Sequence, residues 1–174
     1  HLHGDHVFGL FGILSTFQLL GRKTPLHLYA HAGLEPLIKF YHEHFGNNEG
    51  YPVILHRISG RKAQVIYEDK VVQVVAFPLK PRVPAYGFLF EEKKHPLNIR
   101  KDVLSKFDFS ISQLRKIKEG KDILLESGET LPNATLAELP YKMRSFAYCS
   151  DTMYYERNIP LLKGVDLLYH EATF

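Results

Sequence analysis

The sequence predicts an α/β domain in which helices are layered on β-sheet. β-branched runs alternate with helical segments near both ends of the chain, and a meander of β-rich runs lies between them. The 174 residues have the length of one domain, and 45% hydrophobic with 24% charged residues is the composition of an ordinary globular protein.

The first third of the chain contains two helical patterns around one β-rich run. The apolar residues of "HVFGLFGILSTFQLLG" are too dense for an exposed strand, so they predict a buried helix after a turn at Gly4–Asp5. The run "PLHLYAH" predicts a short strand. In "GLEPLIKFYHEHF" the apolar residues recur at helical spacing, which predicts a second helix that ends at "GNNEG".

The remaining segments supply most of the predicted strands. β-branched runs predict strands in "YPVILHRI", "AQVIYE" and "VVQVVAFPL", and the last two form a hairpin across "DK". Three further strands are predicted in "AYGFLFEE", "SFAYCSD" and "VDLLYHEATF". We expect residues 92–120 to be mostly helical and "TMYYERNIPLLKG" to be helical. "KDILLESGETLP" predicts either a small hairpin or a strand with a turn at Ser127–Gly128.

No membrane segment is predicted. The stretch "VFGLFGILSTFQLL" is shorter than the roughly 18 residues that span a bilayer, and it lacks the basic flank and cleavage site of a signal peptide. Cys149 is the single cysteine. We therefore expect no internal disulfide, a small buried hydrophobic role for this thiol, and a reducing compartment, the cytoplasm.

The opening "HLHGDH" concentrates metal-ligand residue types in one short run. In an extended strand His1 and His3 lie on one face and can hold the same ion. Gly4 permits a sharp turn, after which Asp5 and His6 can point toward a second position nearby. Imidazole suits zinc and a carboxylate can bridge ions, so the run predicts a dinuclear site able to cleave a phosphodiester.

Two strand ends supply further candidates. Asp151 follows the strand in "YCSDT" and is placed to bridge two metals, although an Asp there can also cap the next helix. His170 and Glu171 end the last predicted strand. A histidine oriented by a carboxylate can protonate a leaving oxygen, and the alternative is a capping Glu beside a structural His.

The other histidines are weaker candidates. His42 and His44 are two residues apart on a predicted helix, so their rings point apart and a solvated helix end is the favoured interpretation. His31 follows a strand near a helix start and stays a minor candidate for a residue that supports metal ligands. His27, His56 and His95 have no ligand-type residues near them in the sequence.

Residues 91–121 form a basic segment in an otherwise near-neutral chain. They hold nine Lys and Arg against five Asp and Glu, a local excess of +4 compared with +3 for the whole chain. Such a segment fits docking to a polyanion, and a solvated surface is the open alternative.

These motifs resemble the metallo-β-lactamase superfamily and, within it, the ribonuclease Z family of tRNA 3′-processing endoribonucleases. "HLHGDHVFGL" is similar to the superfamily signature, and "YCSDT" is similar to its bridging-aspartate motif. "PAYGFLF" is similar to the strand after the third metal motif, and "HEATF" to a His–Glu motif of ribonuclease Z. The order and spacing of these motifs agree over the whole chain.

The resemblance implies a metallo-β-lactamase-like αββα sandwich, incomplete at both ends, with a zinc pair at one edge of its sheets. His1 and His3 would hold one zinc. Asp5 and His6 would hold the other, and Asp151 would bridge the two ions.

The resemblance also implies catalytic roles and a substrate-binding insert. Asp5 would align or deprotonate the attacking water, and His170, supported by Glu171, would be the general acid or would stabilise the transition state. Residues 1–174 would form one partial domain with a basic insert at about 91–133, similar to a tRNA-binding arm but without a Gly-Pro-rich tip. Salt-sensitive phosphate contacts would come from Lys93, Lys94, Arg100, Lys101, Arg115, Lys116, Lys118 and Lys121.

Three departures from the family pattern affect the zinc binding and cleavage expected of this chain alone. In "FPLKPRVPAYGF", Pro81 stands where the family has a zinc-binding His. The last metal-binding His of the family lies beyond Phe174, and the strands before the opening motif are missing, which would expose sheet edges. We therefore expect this chain alone to bind zinc weakly and to cleave poorly or not at all.

The resulting hypothesis is a zinc-dependent endoribonuclease that removes 3′ trailers from precursor tRNA. Two alternatives stay open: another hydrolase of the metallo-β-lactamase fold, or a catalytically impaired tRNA-binding paralogue in which Pro81 has removed the chemistry. The resemblance further implies precursor tRNA as a partner, a homodimer, and a cytoplasmic protein without membrane association.

Overall fold

The computed structural model of the chain describes residues 1–45, 50–80 and 84–171. These residues form a mixed α/β protein that divides into two compact units. Unit 1 comprises residues 1–68, 73–90 and 145 onward, and unit 2 comprises residues 69–72 and 91–144. None of the helices in the described part of the chain is long and apolar enough to cross a membrane.

The helices and strands follow the sequence patterns closely. The helices are α1 (Gly4–Leu19), α2 (Glu35–His44), α3 (Lys101–Lys106), α4 (Ile111–Lys118), α5 (Asn133–Leu136) and α6 (Ile159–Leu162). The strands are β1 (Leu26–His31), β2 (Val53–Ile58), β3 (Gln64–Glu68), β4 (Val72–Pro78), β5 (Tyr86–Glu92), β6 (Asn98–Ile99), β7 (Ile123–Leu124), β8 (Thr130–Leu131), β9 (Ala137–Glu138), β10 (Ser145–Cys149) and β11 (Leu167–His170). Short 3₁₀ turns cover Ala32–Leu34 and Glu156–Asn158.

The first layer of unit 1 is a parallel pair of strands covered by two helices. β1 and β2 pair in parallel, with Leu26 opposite Val53. Alternate residues of a strand point to the same face, and one face of this pair carries the apolar residues that pack against α1 and α2. The buried residues of this cluster are Val7, Leu14, Leu34, Ile38 and Tyr41.

Helix α1 forms where it is predicted, but the expectation that it is buried is wrong for most of its surface. Only Val7 and Leu14 are buried among its residues, whereas Phe8 is 74% exposed. The apolar residues of the helix are not confined to one side, while packing on one side covers only a stripe of a helix. Leu10 and Phe11 are therefore only partly buried, and Phe8, Ile13 and Leu19 are exposed.

The second layer of unit 1 is a five-stranded sheet with the order β11-β10-β5-β4-β3. β3 and β4 are antiparallel, which confirms the predicted hairpin, and β10 and β11 are parallel. Residues after α6 and within it pack on the core of this sheet. The buried members of that core are Val75, Phe77, Leu79, Ala85, Leu89, Ala147 and Cys149. Cys149 is thus a small buried residue, as predicted.

Position 87, in the "PAYGF" run, requires glycine because the Phe77 ring and the Tyr148 backbone lie close to it inside this sheet. A Cβ atom at this position would lie 2.5 Å from the Phe77 ring and 3.0 Å from the carbonyl oxygen of Tyr148. Since Phe77 is fully buried, its ring has no room to move away.

The helix predicted over "TMYYERNIPLLKG" begins later than expected. Residues 152–155 are irregular, and helical structure starts with the 3₁₀ turn at Glu156. The amide nitrogen of Lys80 donates to Thr152 Oγ1 over 3.1 Å. The amide nitrogen of Met153 donates to the Lys80 carbonyl over 3.4 Å. These bonds to the end of β4 take the place of a first helical turn.

Unit 2 has its own core and two short antiparallel strand pairs, β6 with β9 and β7 with β8. Ser110 begins α4 with a reciprocal capping box to Gln113. The predicted turn at Ser127–Gly128 forms, with Gly128 at a positive φ of 86°. The core residues are Val103, Phe109, Ile117, Ile123, Leu136 and Ala137. The insert predicted at about 91–133 falls inside this unit, and its assignment as a tRNA-binding arm stays a prediction.

Candidate metal centre

The candidate metal centre lies in unit 1, where the start of α1 meets the carboxyl ends of two parallel strands. Cys149 at the end of β10 is opposite His170 at the end of β11, and the amide nitrogen of Glu171 donates to the Cys149 carbonyl over 3.1 Å. Parallel strands direct the residues that follow them to one edge of the sheet, where α/β proteins place their ligands. Asp151 and Glu171 therefore come together.

Asp151 is shared by two groups of ligand-type side chains. Its Oδ2 atom lies 3.4 Å from His1 Nε2 and 3.2 Å from His6 Nε2. The ligand atoms of His1, His3 and Asp151 all lie within 4.8 Å of one another. The same limit holds for Asp5, His6 and Asp151. This is the arrangement expected of a carboxylate that bridges two cations.

The backbone at the start of α1 brings the histidines together. His3 has an extended backbone, with φ −69° and ψ 150°, and its carbonyl accepts hydrogen bonds from the amide nitrogens of His6 and Val7. The predicted turn after Gly4 is therefore the first turn of the helix, and residues 1–3 are not part of a described strand. The rings of His1 and His3 meet edge to face at 4.5 Å between centroids.

His1 fits a role as a metal ligand. Its side chain is 1% exposed, and neither ring nitrogen has a hydrogen-bond partner among the described residues. Buried polar atoms in proteins nearly always have a partner. An unpaired, buried imidazole beside a carboxylate has the chemistry that a zinc ion satisfies.

Two neighbouring side chains hold the ligand-type residues in place. The pKa of Asp151 lies below its ordinary range, because Glu171 forms a hydrogen bond to its carboxyl group and His6 lies close to it. Asp151 is therefore a carboxylate at neutral pH, as a cation ligand must be. The nearly buried Ser150 places its Oγ 3.4 Å from His6 Nδ1 and so orients that ring.

Ser150 is absent from the sequence-predicted site. It lies between Cys149 and Asp151 in "YCSDT", so its position next to a candidate ligand is the only available signal. Its contact joins residues 144 positions apart in the chain, which no local pattern reveals.

His170 lies outside both ligand groups. Its ring Nδ1 donates to the backbone carbonyl of Glu171 over 2.5 Å, since a carbonyl oxygen can only accept. The basic nitrogen of the neutral ring is then Nε2. The ring borders a groove of about 310 Å³. The Glu171 side chain bonds to Asp151, so within the described residues it is the Glu171 backbone that orients His170.

Comparison with known proteins gives a consistent result, although no protein-family profile matches the chain. Ribonuclease Z of Bacteroides thetaiotaomicron and that of Phocaeicola vulgatus are each 42% identical over all 174 residues, which span 55% and 56% of those proteins. Ribonuclease Z of Porphyromonas gingivalis is 40% identical, with 57% of its length covered.

The chain is similar to ribonuclease Z along its whole length. It spans little more than half the length of these relatives. Among solved structures, human tRNase Z, short form, has a TM-score of 0.62 at 22% identity, over 100% of this chain and 56% of that protein. The mixed α/β fold therefore resembles that of tRNase Z.

Part of the ribonuclease Z pattern falls on residues that the structure does not describe. Pro81, which the resemblance predicts to replace a ligand histidine, lies outside the described residues. The last three residues of "HEATF", at 172–174, lie outside them as well.

The basic residues predicted to contact tRNA phosphates divide into two sets. Arg115 and Lys121 both pair with Glu119, and the pKa of that carboxyl is lowered, first by the Lys121 hydrogen bond and then by Arg115. Arg100 lies 3.8 Å from Glu138, and Lys93 donates to the Asp69 carbonyl. The ammonium groups with no partner among the described residues are Lys94, Lys101, Lys116 and Lys118.

The weaker histidine candidates lie outside both ligand groups. His31 Nδ1 accepts a hydrogen bond from the Gly33 amide and so caps a 3₁₀ turn. The expectation that His27 and His56 lack ligand-type company is wrong. His27 Nδ1 and His56 Nε2 are 2.8 Å apart across β1 and β2, and the Tyr29 ring is stacked on His56. In the part of the chain that the structure describes, no third ligand-type residue joins this pair.

Proposed function

We propose that the whole protein is a zinc-dependent endoribonuclease that removes 3′ trailers from precursor tRNA. The observation that carries this proposal is the sharing of Asp151 between two groups of ligand-type side chains, each within 4.8 Å. Similarity to ribonuclease Z over the whole chain supports the same substrate class.

Zinc suits the donors that meet at Asp151. His1 and His3 would hold one ion, Asp5 and His6 the other, and the Asp151 carboxylate would bridge them. Imidazole and carboxylate are zinc donors. A bound pair of zinc ions supplies Lewis-acid stabilisation and an activated water for phosphodiester hydrolysis.

The protein side chains would position the reacting groups and move the protons. The exposed Asp5 carboxylate can align a water or accept its proton. Glu171 and Ser150 hold Asp151 and His6 through the contacts described above. His170, held at Nδ1 by the Glu171 carbonyl, can deliver a proton from Nε2 to the leaving oxygen when its imidazole is protonated.

An αββα sandwich is the architecture that we propose for unit 1 within the whole protein. Two helices cover the β1–β2 pair on one side, and α6 packs on the five-stranded sheet. Tyr29 of β1 and Tyr67 of β3 meet edge to face, with 6.3 Å between their ring centroids. This contact between the two sheets supports face-to-face packing.

For partners, we propose precursor tRNA at unit 2 and a second copy of the chain at α1 and α2. Phosphate contacts whose strength falls with salt would come from the ammonium groups with no partner among the described residues, those of Lys94, Lys101, Lys116 and Lys118. The helices present exposed aromatic rings around a groove of about 430 Å³.

A cytoplasmic location is supported by the single cysteine, which has no disulfide partner.

The test is the metal content of the purified protein, together with cleavage of a precursor tRNA that carries a 3′ extension. We expect Asp151→Asn to lower the zinc bound per chain and to reduce cleavage by about 100-fold or more, since even outer-shell changes cost 10–100-fold. Glu43→Gln, which removes an exposed carboxylate that pairs with Lys39, is the matched control. Unchanged zinc content in Asp151→Asn would contradict the proposed site.

The catalytically impaired tRNA-binding paralogue is the second candidate, because Pro81 occupies the position of a ligand histidine in the ribonuclease Z pattern. A Pro81→His variant separates the two. If only that variant binds zinc and cleaves, while both proteins bind precursor tRNA, the impaired paralogue is correct. If both bind zinc and cleave, the active enzyme is correct. Cleavage of a small phosphodiester without cleavage of precursor tRNA would favour another hydrolase of this fold.

A further inference from the structure

The groove beside His170 is not used by any of the roles proposed above. It has a volume of about 310 Å³, and its floor is apolar, formed in part by Leu79, Cys149 and Leu162. The segment that follows Asp151 forms one wall, which includes Met153 and Tyr154. This volume lies at the lower end of the range for small-molecule sites.

The wall of this groove presents a flat aromatic surface next to positive charge. Tyr154 is 74% exposed, so its ring is available to a ligand. The ammonium group of Lys80 lies 5.9 Å from the centroid of the Tyr155 ring. Lys163 also lines the groove. An aromatic face with cations at its edge complements a nucleotide, which has a planar base and an anionic phosphate.

The groove also lies directly beside the candidate metal centre. Thr152, one of its lining residues, follows Asp151 in the chain, and His170 precedes Glu171. Two hydrogen bonds hold this wall in place: the Lys80 amide donates to Thr152 Oγ1, and the Met153 amide donates to the Lys80 carbonyl. A base in the groove would therefore belong to a nucleotide next to the phosphodiester at the metal centre.

We propose that this groove binds one unstacked nucleobase of the RNA substrate, next to the bond that is cleaved. Tyr154 stacks on the base, and Lys163 lies near the phosphate that follows. This inference rests on the proposed function for the class of substrate, which is RNA, but not on the cleavage step. Enzymes that act on RNA strands commonly hold a splayed base against an aromatic ring.

The experiment measures binding of the purified protein to a minihelix RNA with a single-stranded 3′ extension, in the presence of a chelator so that nothing is cleaved. A 4-thiouridine replaces the nucleotide on one side or the other of the processing site, and the cross-linked peptide is identified by mass spectrometry. We expect the cross-link within residues 152–163.

Three variants separate stacking from structural support. Tyr154→Leu removes the aromatic face and is expected to weaken binding about 5-fold or more, the lower end of the value of one stacked base. Tyr154→Phe keeps that face and should bind as the unaltered protein does. Tyr169→Leu is the control, because Tyr169 is also exposed but neighbours His170 on β11 and so points to the other side of the strand.

The results distinguish this inference from the proposed function. The nucleobase site would be overturned if Tyr154→Leu bound the RNA as well as the unaltered protein does. A cross-link only outside residues 152–163 would overturn it too. Both conclusions hold whether or not the zinc-loaded protein cleaves precursor tRNA. Weaker binding by Tyr154→Leu but not by Tyr154→Phe supports it even if cleavage fails. Absence of any RNA binding would overturn both.

Discussion

At the scale of single residues, Asp151 and Cys149 lie two positions apart at the end of β10 but have opposite environments, one polar and one apolar. Asp151 has left the strand and meets three polar neighbours, His1, His6 and Glu171. Cys149 is the last residue of β10 and is buried in the core of the five-stranded sheet. The first position suits a charge, and the second excludes one.

The burial of Cys149 predicts that its thiol reacts slowly with thiol reagents in the native protein. Its side chain is enclosed, and burial raises the pKa of the thiol, so little of the reactive thiolate exists at neutral pH. We expect labelling of native protein by a thiol reagent to be at least about 100-fold slower than labelling in urea. The measurement is the rate of reaction at pH 7.5 followed by absorbance.

A Ser127→Cys variant supplies the control for that measurement. Ser127 lies at the exposed turn between β7 and β8, so the added thiol should react rapidly while Cys149 does not. Rapid reaction of two thiols in the native variant would show that the core around Cys149 opens readily.

At the scale of elements, the close packing of β4, β5 and β10 is the feature most sensitive to a small change. Gly87 of β5 lies against the ring of Phe77 on β4 and the backbone of Tyr148 on β10. A fully buried ring and a strand carbonyl are both held by their surroundings, so neither can move aside cheaply.

Gly87→Ala is therefore expected to destabilise the protein by about 1–3 kcal/mol, the usual range for an overpacked core. The measurement is the free energy of unfolding in urea. Gly9→Ala is the matched control, because Gly9 is in helix α1 and a Cβ there meets nothing within 4 Å. This second change should leave stability unchanged or raise it by up to about 1 kcal/mol. Equal stability of the two variants would contradict the packing described for β5.

At the scale of the whole molecule, α1, α2 and the residue after α2 present an exposed aromatic surface. Phe8, Phe40 and Phe45 are all exposed beside one groove. Contiguous apolar surface of this kind marks an interaction site in a soluble protein. The proposed homodimer would cover it.

Phe40→Glu is expected to weaken such a dimer by at least about 10-fold in dissociation constant, because a charge would be buried at the contact. Sedimentation equilibrium over a range of protein concentrations measures this. Ile111→Glu changes an exposed apolar residue of unit 2 and should leave the association unchanged. A protein that is monomeric at every concentration would contradict the proposed dimer.

Most of the local structure could be predicted from the sequence, because it depends on the periodicity of neighbouring side chains. The β3–β4 hairpin, the turn at Gly128 and helix α2 all lie where their patterns place them. The late start of helical structure after Asp151 could not be predicted. It depends on hydrogen bonds between Lys80 and residues 152–153, and Lys80 is 72 residues away from Thr152 in the chain.

For the candidate site too, part could be predicted from the sequence and part could not. The types of residue in "HLHGDH", "YCSDT" and "HEATF" already indicated metal ligation and phosphodiester chemistry, because imidazoles and carboxylates are rarely concentrated without such a use. The contribution of Ser150 and the contact between Glu171 and Asp151 could not be read from these motifs.

The sequence by itself determined which side chains could hold a metal and which segments would be helices or strands, because both follow from residue type and local spacing. Only the tertiary structure decided that His6 meets Asp151 across 145 residues, that His27 meets His56, and that much of α1 is exposed. The physical reason for the two contacts is the parallel pairing of strands distant in the chain, and the exposure of α1 follows from its packing on one side only.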